Sequence, residues 1–208
     1  MIYLIITASI HNYAGVVNEE HRKKTYLESI QKTLSILPDS IKPIIVENNG
    51  PRSTYLDDLP CDINYTNNNN QYNVCNLYNK GINELNDLHY IIQKYSINDE
   101  DLIIKLTGRY HPKDDHFFKE IMNHPEFEVY IKFFNVCTRT FMDLDCVLGM
   151  YAIRCKYLKE FSYQNPKVSP EVEFATYIRN KIPLSKIYSV NQLNLRCCFA
   201  DDLRILDV

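Results

Sequence analysis

Apolar residues gather first at residues 2–6, a β-branched run without helical spacing, which reads as a buried strand. From residue 19 to 37 the period changes. Tyr26, Leu27, Ile30, Leu34 and Leu37 recur at helical intervals, and Pro38 stops the pattern. Residues 42–47 form a second apolar strand closed by the turn residues Asn48-Asn49-Gly50-Pro51, and residues 63–65 a short third one. Such alternation predicts βαβ units in a parallel sheet. The asparagine run at residues 67–70 reads as a loop feeding a helix over 74–95. Residues 101–107 predict the next central strand, ending at Gly108-Arg109-Tyr110-His111-Pro112, with a helix over 114–122 after it.

The second half has a different rhythm. Apolar segments at 127–134 and 147–153 flank the polar stretch 138–145 and predict antiparallel strands, followed by helices at 156–161 and 171–179 around a loop with Pro166 and Pro170. The expected fold class is therefore α/β: a central mixed, mostly parallel sheet flanked by helices on both faces. With 208 residues and no linker or repeat, one domain is expected, with residues 1–110 and 111–208 as its two halves.

Composition narrows the function classes. The net charge is −3, so the basic excess that drives binding to a nucleic acid backbone is missing, and no nucleic acid partner is expected. Seven cysteines without a C-x-x-C pair read as reduced thiols. No apolar run reaches the ~20 residues of a membrane span, and the N-terminal run lacks the positive flank of a signal peptide, so a cytoplasmic protein is expected.

In an open α/β sheet, ligands bind beyond the carboxyl ends of the parallel strands, where the crossovers diverge. Three polar groups should share that rim: Thr7-Ala8-Ser9, Glu47-Asn48-Asn49, and Thr107-Gly108-Arg109-Tyr110. The acidic cluster Asp99-Glu100-Asp101 falls at the opposite end of its strand and is set aside as a metal site. Asp143-Leu144-Asp145 is a better candidate for Mn²⁺ or Mg²⁺, since two carboxylates two residues apart in extended chain point the same way. A solvated acidic loop explains the same residues. Glu171 and Glu173 open a helix after Ser169-Pro170, where acidic side chains also complement the positive helix end. His111 and His116 match neither a metalloprotease pair nor a catalytic triad, and are read as capping or packing against the following helix.

The order of these motifs resembles the GT-A glycosyltransferases. The residues concerned are Ile45-Val46-Glu47-Asn48-Asn49-Gly50 with Ser53-Thr54, then Asn76-Leu77-Tyr78-Asn79-Lys80-Gly81-Ile82, Lys105-Leu106-Thr107-Gly108-Arg109-Tyr110 and Gly149-Met150-Tyr151-Ala152-Ile153-Arg154. Within that fold they are similar to small glycosyltransferases of bacterial polysaccharide clusters and large DNA viruses, including those that decorate a viral capsid protein. The resemblance implies a UDP-sugar donor and a glycan or glycoprotein acceptor, in the host cytoplasm if the chain is viral. It implies Thr7, Ala8 and Ser9 at the uracil edge and Glu47, Asn48 and Asn49 toward base and ribose. It also implies an acidic residue, Glu171 or Glu173, facing the acceptor. Turn and strand-end chemistry accounts for the nucleotide-side residues equally well.

One departure matters. Where most GT-A enzymes end the fourth strand with a metal-binding D-x-D, this chain has Lys105-Leu106-Thr107-Gly108-Arg109. Charge on the departing diphosphate still needs a cation, and Arg109, Lys80 or Lys105 supplies one directly. Two alternatives stand beside a glycosyltransferase: a sugar-phosphate nucleotidyltransferase, disfavoured by His11-Asn12-Tyr13-Ala14 where a Gly-rich phosphate loop would stand, and a non-catalytic nucleotide-sugar or glycan-binding module.

Overall fold

The computed structural model describes residues 1–11, 16–50, 55–71, 77–133, 144–199 and 203–208. In chain order the first elements are β1 (Ile2–Ala8), α1 (Glu19–Ile36), β2 (Ile41–Glu47), β3 (Asp62–Tyr65), α2 (Asn68–Gln71), α3 (Leu77–Lys94) and β4 (Leu102–Thr107). There follow β5 (His111–Pro112), α4 (His116–Asn123), β6 (Val129–Ile131), β7 (Met150–Arg154), α5 (Cys155–Glu160), α6 (Pro170–Lys181), β8 (Ile187–Ser189), β9 (Leu195–Cys198) and β10 (Ile205–Asp207).

Local chemistry sets several of these boundaries. Asn18 caps α1 by accepting the His21 backbone N–H at 2.9 Å, and Leu37 turns extended because Pro38 follows it. The main sheet runs β3-β2-β1-β4-β7-β6-β8. Its strands are parallel except β7, which pairs antiparallel with both β4 and β6. A mixed, mostly parallel sheet is thus the observed architecture.

Strand alternation sorts the core into two layers. Leu4, Ile6, Ile104 and Leu106 pack with Tyr26 and Ile30 of α1 and Phe117 and Phe118 of α4. On the other face, Ile5, Val46 and Ile103 pack with Leu88 and Ile91 of α3, Leu158 of α5 and Phe174 of α6. No helix among the described residues is long and apolar enough to cross a membrane.

A second sheet, β10-β9-β5, is absent from the sequence expectations. Its strands have two to four residues, too short for a period-2 pattern to register. The strand expected over 127–134 is also shorter, because β6 stops at Ile131 and Phe133 makes only an isolated bridge to Cys146.

Candidate active site

Beyond the carboxyl ends of β1, β2 and β4 lies a cleft, and the sheet register explains its floor. Thr7 stands opposite Thr107, and Lys105 lies two residues earlier on the same face of β4. All three side chains turn toward α3, where Glu84 meets them. Its carboxylate accepts from Thr7 Oγ1 at 2.9 Å, Thr107 Oγ1 at 3.3 Å and Lys105 Nζ at 3.0 Å. Lys105 also donates to Thr107 Oγ1 at 2.6 Å and to the Leu148 carbonyl at 2.9 Å, so the three donors of a nearly fully buried ammonium are satisfied. Burial alone would raise the Glu84 pKa, but Lys105 and Arg109 with the hydrogen bonds outweigh it and hold the carboxyl below its usual range.

Arg109 borders the cleft on the α1 side. Its Nε donates to the Cys198 carbonyl at 2.8 Å, and its guanidinium lies 5.1 Å from the Tyr110 ring centroid. Burial opposes its charge. Tyr110, Tyr26 and Glu84 favour that charge more strongly and keep the group ionised.

Glu171 borders the cleft from α6. Ser169 caps this helix, accepting from Val172 N at 3.4 Å, with Pro170 in the first turn, so Glu171 is presented at the helix start. Gly81 lets α3 approach: a Cβ there would come within 3.0 Å of the Pro170 ring. Burial, with the neighbouring Asp145 and Glu84 carboxylates, pushes the Glu171 pKa up. Glu173 faces elsewhere and accepts the backbone N–H of Asn165 at 3.2 Å.

Thr7, Ala8, Ser9, Asn48, Lys80 and Lys105 also line the cleft. Glu47 and Asn49 do not; they are buried behind it. The Glu47 carboxylate accepts from Ile10 N and Asn49 N, both at 3.3 Å, and Asn49 Oδ1 accepts from His11 N at 3.0 Å. Together they hold the segment after β1, and Arg22 reinforces it by donating to the Ser9 and Ile10 carbonyls.

Sequence reasoning missed Glu84, Asn83, Asn69 and Tyr26, which line the same cleft. A signal existed: Lys80, Asn83, Glu84 and Asp87 recur at i, i+3, i+4 and i+7, a polar stripe on α3. Asn83 and Asp87 on this stripe are buried. The Asn48 and Asn83 amide oxygens, both buried, have no hydrogen-bond partner among the described residues. A buried acceptor left so costs ~1–3 kcal/mol unless a donor arrives from outside.

The donor set at the end of β4 does not fit a divalent cation, since cationic Lys105 and Arg109 stand there and the nearby Glu84 carboxylate is already engaged. Among the described residues no group of three or more His, Cys, Asp or Glu side chains could hold a metal ion. Of the expected metal pair, Asp145 is buried near Glu171, and Asp143 lies outside the described residues. Ser53, Thr54, Asn76, and residues 12–14 of the segment read as lacking a phosphate loop, lie outside them too. The Asp99-Glu100-Asp101 cluster sits at the far end of β4, paired with Lys159, Lys156 and the Met1 nitrogen respectively.

Neither a protein-family model nor a curated protein sequence matches this chain. Solved structures do match in shape. A Desulfovibrio desulfuricans G20 protein assigned as a nucleotide-diphospho-sugar transferase aligns over 91% of this chain and 80% of its own at 10% identity, with a TM-score of 0.54. A Bacillus anthracis protein assigned as a glucose-1-phosphate thymidylyltransferase, in complex with a sucrose, aligns over 91% and 86% at 11% identity, with a TM-score of 0.52. The galactosyltransferase LgtC, solved with donor and acceptor sugar analogs, aligns over 91% and 73% at 8% identity, with a TM-score of 0.50. At such low identity it is shape that is shared, and this chain has the GT-A fold of the nucleotide-diphospho-sugar transferases.

Proposed function

We propose that this cleft transfers a hexose or deoxyhexose from a UDP-sugar to a hydroxyl of a glycan. The observation that carries the reading is the pairing of an ionised arginine and a half-buried carboxyl across one cleft at the switch-point rim, Arg109 from the α1 side and Glu171 from α6. In this reading the nucleoside lies along Thr7, Ala8, Ser9 and Asn48, with Glu47 and Asn49 shaping that wall from behind. The unpartnered oxygens of Asn48 and Asn83 accept N–H or O–H donors of the ligand. Arg109 and Lys80 face the diphosphate. As the sugar C1–O bond breaks, negative charge grows on UDP and Arg109 stabilises it. The acceptor oxygen bonds to C1 and its proton passes to Glu171, whose raised pKa suits a base. The Lys105–Glu84 pair braces the floor. Glu173, expected beside Glu171, is assigned to the 164–165 turn it holds. Sequence resemblance alone favours a viral or surface glycan as acceptor.

Calorimetric titration with UDP, GDP and CMP, with and without Mn²⁺, tests the donor side. Tighter binding of UDP, unchanged by Mn²⁺, is expected. Equal or absent binding of all three removes the reading, while a gain with Mn²⁺ that Asp145→Asn abolishes restores the metal site at Asp143 and Asp145. The nucleotidyltransferase reading keeps the support of the thymidylyltransferase likeness. Product analysis separates the classes: UDP release marks a glycosyltransferase, pyrophosphate release a nucleotidyltransferase, and neither a binding module.

A further inference from the structure

A second cleft opens between α1 and the small β10-β9-β5 sheet, and it joins the first at Arg22, Tyr26, Arg109 and Phe199. Its charge is lopsided. Among the described residues, Arg22, Lys32, Arg109, Lys113, Arg196 and Arg204 line it against one lining carboxylate, Glu28. Asp201 and Asp202 lie outside the described residues.

The cations are not all equally committed. Arg22 is occupied by backbone carbonyls. Lys113 and Arg196 share the single carboxylate of Asp207, at 2.9 and 3.2 Å, which leaves that trio positive. Arg204 lies over the Phe199 ring at 4.8 Å and has a further partner besides. Lys32 is exposed on α1, with no ion pair among the described residues. Low-dielectric walls around like charges focus a positive potential in the groove. Between fixed cations, an anionic ligand finds charge-assisted hydrogen bonds that a neutral sugar cannot make.

We propose that this second cleft binds the anionic part of the acceptor, a carboxylate or phosphate carried by the glycan that receives the sugar. The inference rests on the transferase reading for the word acceptor, and on the cleft's own chemistry for the anion. A ligand seated there has its next sugar at Arg109, within the cleft that Glu171 lines.

Binding is measured on the full chain with three probes: methyl α-glucuronide, methyl α-glucoside 6-phosphate and neutral methyl α-glucoside. At low salt the anionic probes are expected to bind about tenfold more tightly than the neutral one, and less so as salt rises. A preference for the carboxylate probe identifies a sugar acid, and a preference for the phosphate probe a phosphorylated glycan. Lys32→Glu with Arg204→Glu should weaken anion binding by roughly tenfold or more while UDP binding is retained. Lys32→Glu alone, on an exposed side chain, should weaken it in the same direction without disturbing the fold. Neutral and anionic probes binding alike, or unchanged anion binding in both variants, overturns the proposal. Loss of UDP binding in the parent chain with anion binding intact would instead remove the donor reading and leave the anion cleft standing.

Discussion

Arg109 stands where the two clefts meet, and its contacts separate its structural role from its chemical one. One nitrogen is tied to the Cys198 carbonyl at 2.8 Å and the guanidinium also donates to the Tyr26 side chain, so part of the fork is left for a ligand. If it stabilises charge that grows as the C1–O bond opens, Arg109→Ala should lower kcat by roughly 10²–10³-fold with a smaller change in donor affinity. Arg109→Lys should recover only part of that, keeping charge without the planar fork. A variant that melts early yet turns over normally would make the residue structural only. Glu171 carries a separate prediction. If it acts as the base it must be ionised, and its pKa is raised by burial and by Asp145 and Glu84, so kcat/KM should fall on the acid side with a midpoint above the ordinary glutamate range. Glu171→Gln should remove that limb along with most activity; an unchanged acid limb would assign the titration to another group.

Between β4 and β7 the site depends on a close approach of backbone to ring. The Gly149 carbonyl accepts the Thr107 N–H at 2.8 Å, and a Cβ on Gly149 would sit 2.1 Å from one Tyr110 ring carbon. Tyr110 is buried and adjoins Arg109, so it cannot yield without moving the cleft wall. Gly149→Ala should therefore cost ~1–3 kcal/mol, the range for overpacking a core. Its melting temperature should fall, and Tyr110→Leu in the same chain should restore part of the loss; no drop in the single variant would show that the ring moves freely. At this scale the sequence was informative where elements are long. The 18-residue helices α1 and α3 and the apolar β1 and β4 follow from periodicity alone. It was silent on β5 and β8, whose pairing comes from distant partners, and on β9 and β10, a hairpin of strands too short for a period-2 pattern to register.

Across the molecule, Asp87 links α3 to the ends of β2 and β3. Its carboxylate accepts from Asn48 Nδ2 at 2.8 Å, Thr66 Oγ1 at 2.6 Å and Asn68 Nδ2 at 2.7 Å, yet burial pushes its pKa up to about 7. A carboxyl raised on folding binds more protons in the folded chain, so its contribution to stability falls as pH rises from about 4 toward about 7 and is level above that. Glu171 acts in the same direction, whereas His111, lowered mainly by burial, opposes it. Comparing Asp87→Asn with the parent chain isolates the Asp87 part. Melting temperature should decline less steeply between pH 5 and pH 8 in the variant, and identical slopes would show that Asp87 titrates normally.

The sequence by itself determined the alternation of strands and helices, the mixed sheet, and the gathering of Thr7, Ser9, Asn48 and Arg109 at one rim. These follow from local periodicity and from the divergence of crossovers at the strand ends. Tertiary structure decided how the charges are used. Helical geometry already separates Glu171 from Glu173, because residues two apart do not share a face, but only the docking of α6 selected Glu171 for the cleft. Lys105 reads in sequence as an available cation; the fold satisfies it with Glu84, Thr107 and the Leu148 carbonyl, contacts 2 to 43 residues away along the chain. The second cleft joins α1 to β5 and to strands from the last fourteen residues, and its cations come together only once these pack. Periodicity records which side of an element is buried, whereas the balance of charge in a cleft depends on which distant elements meet there.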